Sequence, residues 1–405
     1  MSKKPGLIKA ALIQWLGIPS SFGEADLRQA EVATVSVAGQ QVNQETVMGL
    51  SAAWACVRLI SETVGTLPLH IYERTPEGRK RATDHPLSNI IRTRPNAEIT
   101  ANQFWQAMTS AMLLQGNGVS VKLMIGDRLV GLEFIPWSQI VLQKAPNGKP
   151  IFFRKIGDSL RRIQDKDIFR VAGFSLDGVW GVSAISYGAN VFGSALGASN
   201  SANNTFKNGL APAVYFKTEK TVQKEQRKEF RENLREISGA LNSGQSPLLE
   251  GGMTAQDIGI NRKDAQLLES RGFSVEEVCR WFGVDPSLVG HGQAVSNFGT
   301  GLEQKMIAFL TFTLRPWLTR IEQSINAFLL PPGDSEKYYV EFSIEGLLRG
   351  DSKSRAEFLN IMTQAGIMTR DEARAKENLQ PFGGNAAQLM TNSATQPINS
   401  LGVQE

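Results

Sequence analysis

Histidine and cysteine are nearly missing from this chain of 405 residues, which holds 3 of the first and 2 of the second. His70, His85 and His291 have no second histidine or cysteine at metal-ligand spacing, and His85, in D-H-P-L, reads as fixing a loop rather than holding zinc. Cys56 and Cys279 fall on apolar helical faces, the pattern of buried reduced thiols rather than a disulfide framework. No uninterrupted apolar run reaches the ~18 residues that a membrane-spanning helix needs. Neither G-x-x-x-x-G-K-[ST] nor G-x-S-x-G occurs, which argues against a P-loop ATPase and a serine-hydrolase elbow. Glu276-Glu277 with Asp285 could be imagined as nuclease carboxylates, but neighbours on a helix point about 100° apart, which argues against a shared metal. No catalytic residue, metal or cofactor is expected. A net charge of +4 is too small to signal bulk attraction to nucleic acid.

What is present is a large apolar fraction, 41%, enough for a sizeable core and, by length, two or three domains. The opening M-S-K-K-P-G-L-I-K-A-A-L-I-Q-W-L-G lacks a small-residue cleavage site after its apolar stretch. It reads as an amphipathic or disordered arm on a soluble chain made in the cytoplasm.

Periodicity then divides the chain. Leu50, Trp54, Val57, Ile60 and Val64 predict one face of a helix over 45–66, closed by Pro68, with a strand at 69–72. Thr100 caps a helix over 101–114 that Gly116-Asn117 ends. From Val119 to Val171 the period shortens to strands with turns at Gly126-Asp127, 146–148 and Gly157-Asp158. Half of the positions from 183 to 208 are Gly, Ala or Ser. Interior Gly188, Gly193 and Gly197 each cost a helix about 1 kcal/mol, which close approach of neighbouring helices would offset. A strand at 213–217, a charged helix over 222–241 and further strand at 248–249 and 258–260 form a unit too small to bury much of a core alone. A helix over 264–283 ends in F-G-V-D-P: Gly283 suits a left-handed cap and Pro286 forbids continuation. Residues 288–301 carry no Lys, Arg, Asp or Glu. From Glu303 the residues Met306, Ile307, Leu310, Leu314, Trp317, Ile321, Ile325 and Phe328 predict one long helix that Pro316 bends. A strand at 338–344 follows. Two short helices over 346–379 meet at Ala365-Gly366, with Thr369 and Glu372 as a capping box. A mobile polar tail is expected beyond Pro381.

The ordered set A-A-W-A-C-V-R-L-I-S-E-T-V-G-T-L-P-L, H-P-L-S-N-I-I-R-T-R-P-N-A-E-I-T, D-G-V-W-G-V-S-A-I, F-G-V-D-P-S-L-V-G and E-Q-K-M-I-A-F-L-T-F-T-L-R-P-W-L resembles the portal proteins of tailed bacteriophages, from roughly Val47 to Leu379. The resemblance implies a mainly helical α+β fold with wing, stem, clip and crown, closing into a ring with a central channel. It implies an N-terminal arm at 1–44, a wing at 45–182, a first stem helix at 183–209 and a clip at 210–262. A second stem helix at 263–284, a tunnel loop at 285–302 and a long kinked helix and strand at 303–345 follow, then a crown at 346–380 and a disordered tail at 381–405. His291, Gln293, Ser296, Asn297 and Thr300 would line the channel, where a neutral surface lets a polyanion slide, since each basic contact adds a salt-dependent grip. Lys224, Arg227, Lys228, Arg231 and Arg235 of the clip would make docking or oligomer contacts. The implied partners are further copies of the chain in a dodecamer, double-stranded DNA without sequence preference, the terminase large subunit, the major capsid protein and head completion or adaptor proteins. No membrane is implied. A ring-forming connector that passes no DNA, and a packaging nuclease or ATPase, are the alternatives.

Overall fold

A computed structural model describes residues 27–29, 34–76, 78–144, 150–207, 214–217, 254–257, 261–291, 300–344, 352–377 and 379–390. The chain divides into two units, Met1–Glu341 and Phe342–Glu405.

The first unit begins with β1 (Leu27–Gln29) and a hairpin of β2 (Thr34–Val35) and β3 (Gln41–Val42), turning at Gly39 with φ of 72°. The stretch expected as one helix is two. α1 (Gln44–Met48) is capped by Asn43, and the chain breaks at Gly49-Leu50 before α2 (Ser51–Thr66). Within α2 the residues Ala53, Cys56, Val57, Ile60 and Val64 form the buried stripe, and Trp54, predicted inside, falls about 100° round the helix from its centre and stays 53% exposed. β4 (Leu69–Thr75) runs beyond the predicted strand and pairs antiparallel with β5 (Gly78–Arg81), followed by α3 (Pro86–Arg92). His85 ties this region down as its D-H-P-L setting suggested: Nδ1 accepts from the Leu87 amide at 3.2 Å and Nε2 lies 3.2 Å from Asp334.

Thr100 and Gln103 exchange backbone and side-chain bonds in the capping box of α4 (Ala101–Gln115), and Gly116 ends it at φ of 80°. Antiparallel strands follow: β6 (Asn117–Ile125), β7 (Arg128–Phe134), β8 (Ile140–Lys144), β9 (Pro150–Ile156), β10 (Ser159–Arg162) and β11 (Ile168–Ala172). They form two sheets, in the orders β1-β8-β9-β10 and β11-β6-β7. Ala111 of α4 meets Val119, Ile135, Trp137, Ile140, Phe152 and Ile163 in a shared core. Each strand places alternate residues on that face, which is why the apolar pattern there has a period of two.

A polar clasp fastens the exit from this body. Asn117 is fully buried; its amide nitrogen donates to the Gly181 carbonyl at 3.0 Å, and its Oδ1 accepts from the Gly181 amide at 3.1 Å and from Arg170 at 2.8 Å. Trp137 Nε1 donates to the Asn117 carbonyl at 2.7 Å, and Arg170 lies over the Trp180 ring at 4.9 Å. The Asp177 carboxylate accepts from the amides of Val179 and Trp180 and from the Ser175 hydroxyl, and these bonds hold its pKa below the usual range. Thus D-G-V-W-G-V-S-A-I is a turn wrapped on a buried asparagine.

From the clasp run α5 (Ala184–Tyr187), capped by Ser183 and ended at Gly188, and α6 (Ala189–Lys207). β12 (Val214–Lys217) pairs with β13 (Thr254–Asp257), and α7 (Asn261–Phe282) packs on α6. α8 (Thr300–Ala308), a π-helical turn over Phe309–Leu314 and α9 (Arg315–Phe328) follow, then β14 (Tyr338–Phe342) beside β4.

The second unit contains α10 (Ser352–Gln364), a turn at Gly366 with φ of 70°, and α11 (Arg370–Lys376), started by the predicted Thr369 and Glu372 capping box. The stretch after Pro381, expected to be mobile, is held at its start, at Phe382 and Gly383. The Asp371 carboxylate accepts from the amides of Phe382 and Gly383 at 2.9 and 2.8 Å, and Arg374 covers the Phe382 ring at 4.0 Å. A polar composition hid one aromatic anchor and one carboxylate aimed at two successive amides. No helix among the described residues is long and apolar enough to cross a membrane.

Buried His70 carries a pH consequence. Burial, aided by the charges of Arg81 and Arg92, lowers its imidazole pKa from 6.5 to about 4. Between these values the unfolded chain binds a proton that the folded chain does not, so stability falls as pH drops through that window. A shift of this size corresponds to about 3 kcal/mol, which solvent screening cuts to about 1–2 kcal/mol. Unfolding free energies measured across the window are expected to show that loss in the native sequence and a flatter profile in His70→Gln; parallel profiles would refute it.

Candidate functional site

The C-terminal end of α7 is built residue by residue. Gly283 takes φ of 66°; its amide donates to the Arg280 carbonyl at 3.2 Å, and the next amide, of Val284, donates to the Cys279 carbonyl at 3.0 Å. That is the Schellman closure, with Val284 and Cys279 both buried as the accompanying apolar contact. Asp285 then starts a short 3₁₀ turn, Pro286–Val289, accepting from the amide and hydroxyl of Ser287 at 2.8 and 2.6 Å. The Ser287 hydroxyl bond is the main reason the Asp285 carboxyl stays below its ordinary pKa. Gly290, left-handed at φ of 78°, ends the turn and aims the chain into His291, whose Nε2 lies 3.9 Å from Glu276.

α8 brings the chain back to the same base. Lys305 Nζ donates to the Ser287 hydroxyl at 2.6 Å and sits 4.0 Å from Asp285. Farther along, the Thr313 hydroxyl donates to the Gly283 carbonyl. The segments on either side, ending at His291 and starting at Thr300, are thus tied to one turn.

The π turn explains Pro316. Proline has no N–H to give and its ring crowds the carbonyl four residues back. The helix answers by widening just ahead of it: the Arg315 amide bonds to the Leu310 carbonyl, five residues back. One extra residue in that turn rotates everything after it. The buried stripe is Phe309, Leu310, Thr313, Leu314, Leu318, Ile321 and Ile325, whereas Ile307 and Phe328, predicted inside, are 48% and 59% exposed. So Pro316 stands in the first turn of α9 as the stop of a π turn.

Other predicted residues are scattered. Gly188 closes α5, where a Cβ would come 2.7 Å from the Phe192 ring. Gly193 makes a close approach, but to the hairpin rather than to a helix: an added Cβ would lie 2.2 Å from Ser36. Gly197 meets nothing within 4 Å. Thr300 is the first residue of α8. Gln293, Ser296 and Asn297, and the clip residues Lys224, Arg227, Lys228, Arg231 and Arg235, lie outside the described residues.

The structure adds partners that no motif announced: Lys305, Ser287 and Thr313 at the loop base, and Cys56 on α2 with its Sγ 3.7 Å from Cys279 Sγ on α7. Both thiols are buried and free, as their apolar settings implied. The hydrogen bond with the Cys279 sulfur, and then burial, push the Cys56 thiol pKa well up. Among the described residues no group of three or more His, Cys, Asp and Glu could hold a metal ion.

The class these features define is an α+β protein whose sheets and helices carry a small paired-strand unit, β12 with β13, inserted between two packed helices. Residues 51–378 match the family model described as phage portal protein, and the chain belongs to that family. It is 33% identical to the portal protein of Enterobacteria phage HK97 over 371 residues, 90% of this chain and 86% of that protein. The probable portal protein of Streptomyces phage phiC31 is 30% identical over 372 residues, 87% of this chain and 79% of that one. Among solved structures, an HK97 family phage portal protein from Corynebacterium diphtheriae superposes with a TM-score of 0.56 at 16% identity, covering 76% of this chain and 98% of that one. A chain from the neck of an empty gene transfer agent particle gives a TM-score of 0.59 at 21% identity, covering 86% and 96%. These two show a shared fold.

Proposed function

We propose that copies of this chain close into a ring at one vertex of a phage capsid, and that double-stranded DNA passes through its channel during packaging and ejection. The observation that carries the reading is the loop base combined with family membership. Residues 292–299, which join His291 to Thr300 in sequence, carry no charge, and among the described residues Lys305 is engaged by Ser287 and Asp285 and Glu276 lies beside His291. A channel lining of this kind touches phosphates through transient hydrogen bonds and adds no fixed cation whose release of counterions would grip the duplex. The π turn and Pro316 set the direction in which the returning helix leaves that foot.

Twelve copies are proposed because a chain of this fold belongs to a gene transfer agent neck resolved with C12 symmetry. The β12 and β13 pair, carried between α6 and α7, is the proposed clip, with Lys224, Arg227, Lys228, Arg231 and Arg235 facing the terminase large subunit or later the head completion proteins. The body is proposed to contact the major capsid protein. The role is structural and needs no cofactor.

Electron microscopy of the purified protein tests the ring: a twelvefold particle with a channel as wide as duplex DNA is expected, and a monomer under all conditions would end the proposal. Replacing residues 292–299 by a Gly-Ser linker of equal length is expected to leave rings intact and reduce packaged or retained DNA at least tenfold. Unchanged packaging would remove the loop from the mechanism while leaving the ring standing.

A further inference from the structure

One face of the sheet ordered β14-β4-β5 has a use that the channel does not give it. In the register of β4 and β5, Tyr72 stands opposite Arg81 and Arg74 opposite Arg79, so His70, Tyr72, Arg74, Arg79 and Arg81 share that face. Tyr339 of β14 stacks on Tyr72 with ring centroids 5.6 Å apart. Each ring is covered by a guanidinium: Arg79 lies over Tyr72 at 4.5 Å and Arg74 over Tyr339 at 4.9 Å. The tyrosines thus act as a floor that spreads arginines outward, and their own faces are not open to a stacking base.

Charge on this face is poorly balanced. Among its described residues Glu341 is the one carboxylate, and Arg79 takes it. Arg74 is held by carbonyls of Ser335 and Glu336, which orient the guanidinium without neutralising it. Arg81 is exposed and makes no ion pair among the described residues. The charge of Arg92, from the last turn of α3, also reaches His70, which is 6% exposed. β5 is the outermost strand of its sheet, and its exposed outer edge has no strand beside it among the described residues. Unpaired edges are normally protected by charge, and here the charge is all of one sign.

We propose that this edge and face form a docking surface for an acidic, extended segment of another protein, which would add to β5 as a strand and place its carboxylates on Arg81 and Arg74. Three features select that occupant. Planar guanidinium groups match carboxylates in two-point contacts. A free antiparallel edge supplies main-chain bonds to an extended peptide. The rings that could have stacked on unpaired bases are already covered by arginine.

Fluorescence anisotropy of the full-length assembled protein tests this with a labelled peptide of alternating valine and glutamate. A valine and glutamine peptide and a short labelled DNA duplex serve as comparisons. The glutamate peptide is expected to bind, to weaken as salt rises, and to lose about tenfold or more in affinity in Arg81→Glu, with Arg81→Lys in between because the ammonium keeps the charge but not the two-point contact. Lys80→Glu makes the same charge change on the opposite face of β5 and is expected to cost far less. Equal binding of the glutamine peptide, equal loss in Lys80→Glu, tighter binding of the duplex at this face, or no binding to the assembled protein would each overturn the proposal. Melting temperatures of the variants, measured alongside, separate lost contacts from lost folding; Arg81→Gln replaces Arg81→Glu if the reversal unfolds the sheet.

Discussion

Gly181→Ala is expected to destabilise the chain by about 3 kcal/mol or more, at the upper end of what overpacking costs. A Cβ built on Gly181 falls 1.7 Å from the Gly116 carbonyl oxygen and 2.9 Å from the Gly173 amide nitrogen. The obstacle is backbone on every side, so no rotamer change relieves it. Moving Gly181 away would pull its amide and carbonyl off buried Asn117, and a buried polar group left without partners costs a further ~1–3 kcal/mol. The Gly173 amide, bonded to the Gly116 carbonyl at 2.7 Å, would be disturbed too. Gly197→Ala is the control: nothing lies within 4 Å of its added methyl. Inside a helix that change is expected to stabilise the isolated chain by about 0.5–1 kcal/mol. Chemical denaturation of the two variants should show opposite signs, and equal midpoints would refute the clasp as the site of tight packing. If Gly197 faces the next copy in a ring, the same stabilised chain should assemble less well.

Local signals were legible wherever a residue acts on its own neighbours. The Thr100 and Thr369 capping boxes, the left-handed Gly116 and Gly283, and the turns at Gly126 and Gly157 all operate within a few residues, so spacing alone predicts them. Faces were less legible. Trp54 reads as inside because it lies three residues before Val57, but the buried stripe of α2 centres on Ala53, Val57, Ile60 and Val64, and Trp54 stands on its flank. Trp317 is half-buried on the flank of the stripe that Leu318, Ile321 and Ile325 form in α9, and spacings of three and four residues fit either side chain equally well. Long-range partnerships were invisible: Gly193 against Ser36, Asn117 with Gly181, and Lys305 with Ser287 join segments that no periodicity relates. The loop's neutrality, by contrast, is a property of composition and could be read directly. What composition could not supply was the foot on which it stands.

Phe192→Ala is expected to cost about 3–5 kcal/mol, the usual range for deleting a buried aromatic ring, because the removed surface and the cavity left behind both count. Phe192 is fully buried on α6, with ring centroids 6.0 Å from Phe282 and 6.3 Å from Trp281 of α7. Gly188 leaves it room one turn earlier, since a Cβ there would meet the ring at 2.7 Å. Nothing nearby can collapse into the void without bending one of two helices. The consequence reaches beyond stability, because Phe282 is the last residue of α7 and the next residue, Gly283, opens the Schellman closure, followed by the Asp285 turn and His291. Hydrogen exchange at the amides of Gly283, Val284 and Ser287 is therefore expected to quicken in Phe192→Ala more than exchange in β6 or β9. Phe192→Leu, which keeps most of the volume, should cost less than about 1.5 kcal/mol and leave those amides protected. Exchange that rises uniformly across the first unit in both variants would mean that the loop foot is held by α8 and α2 alone, through Lys305 and the Cys56 contact, and not by the packing of α6 on α7.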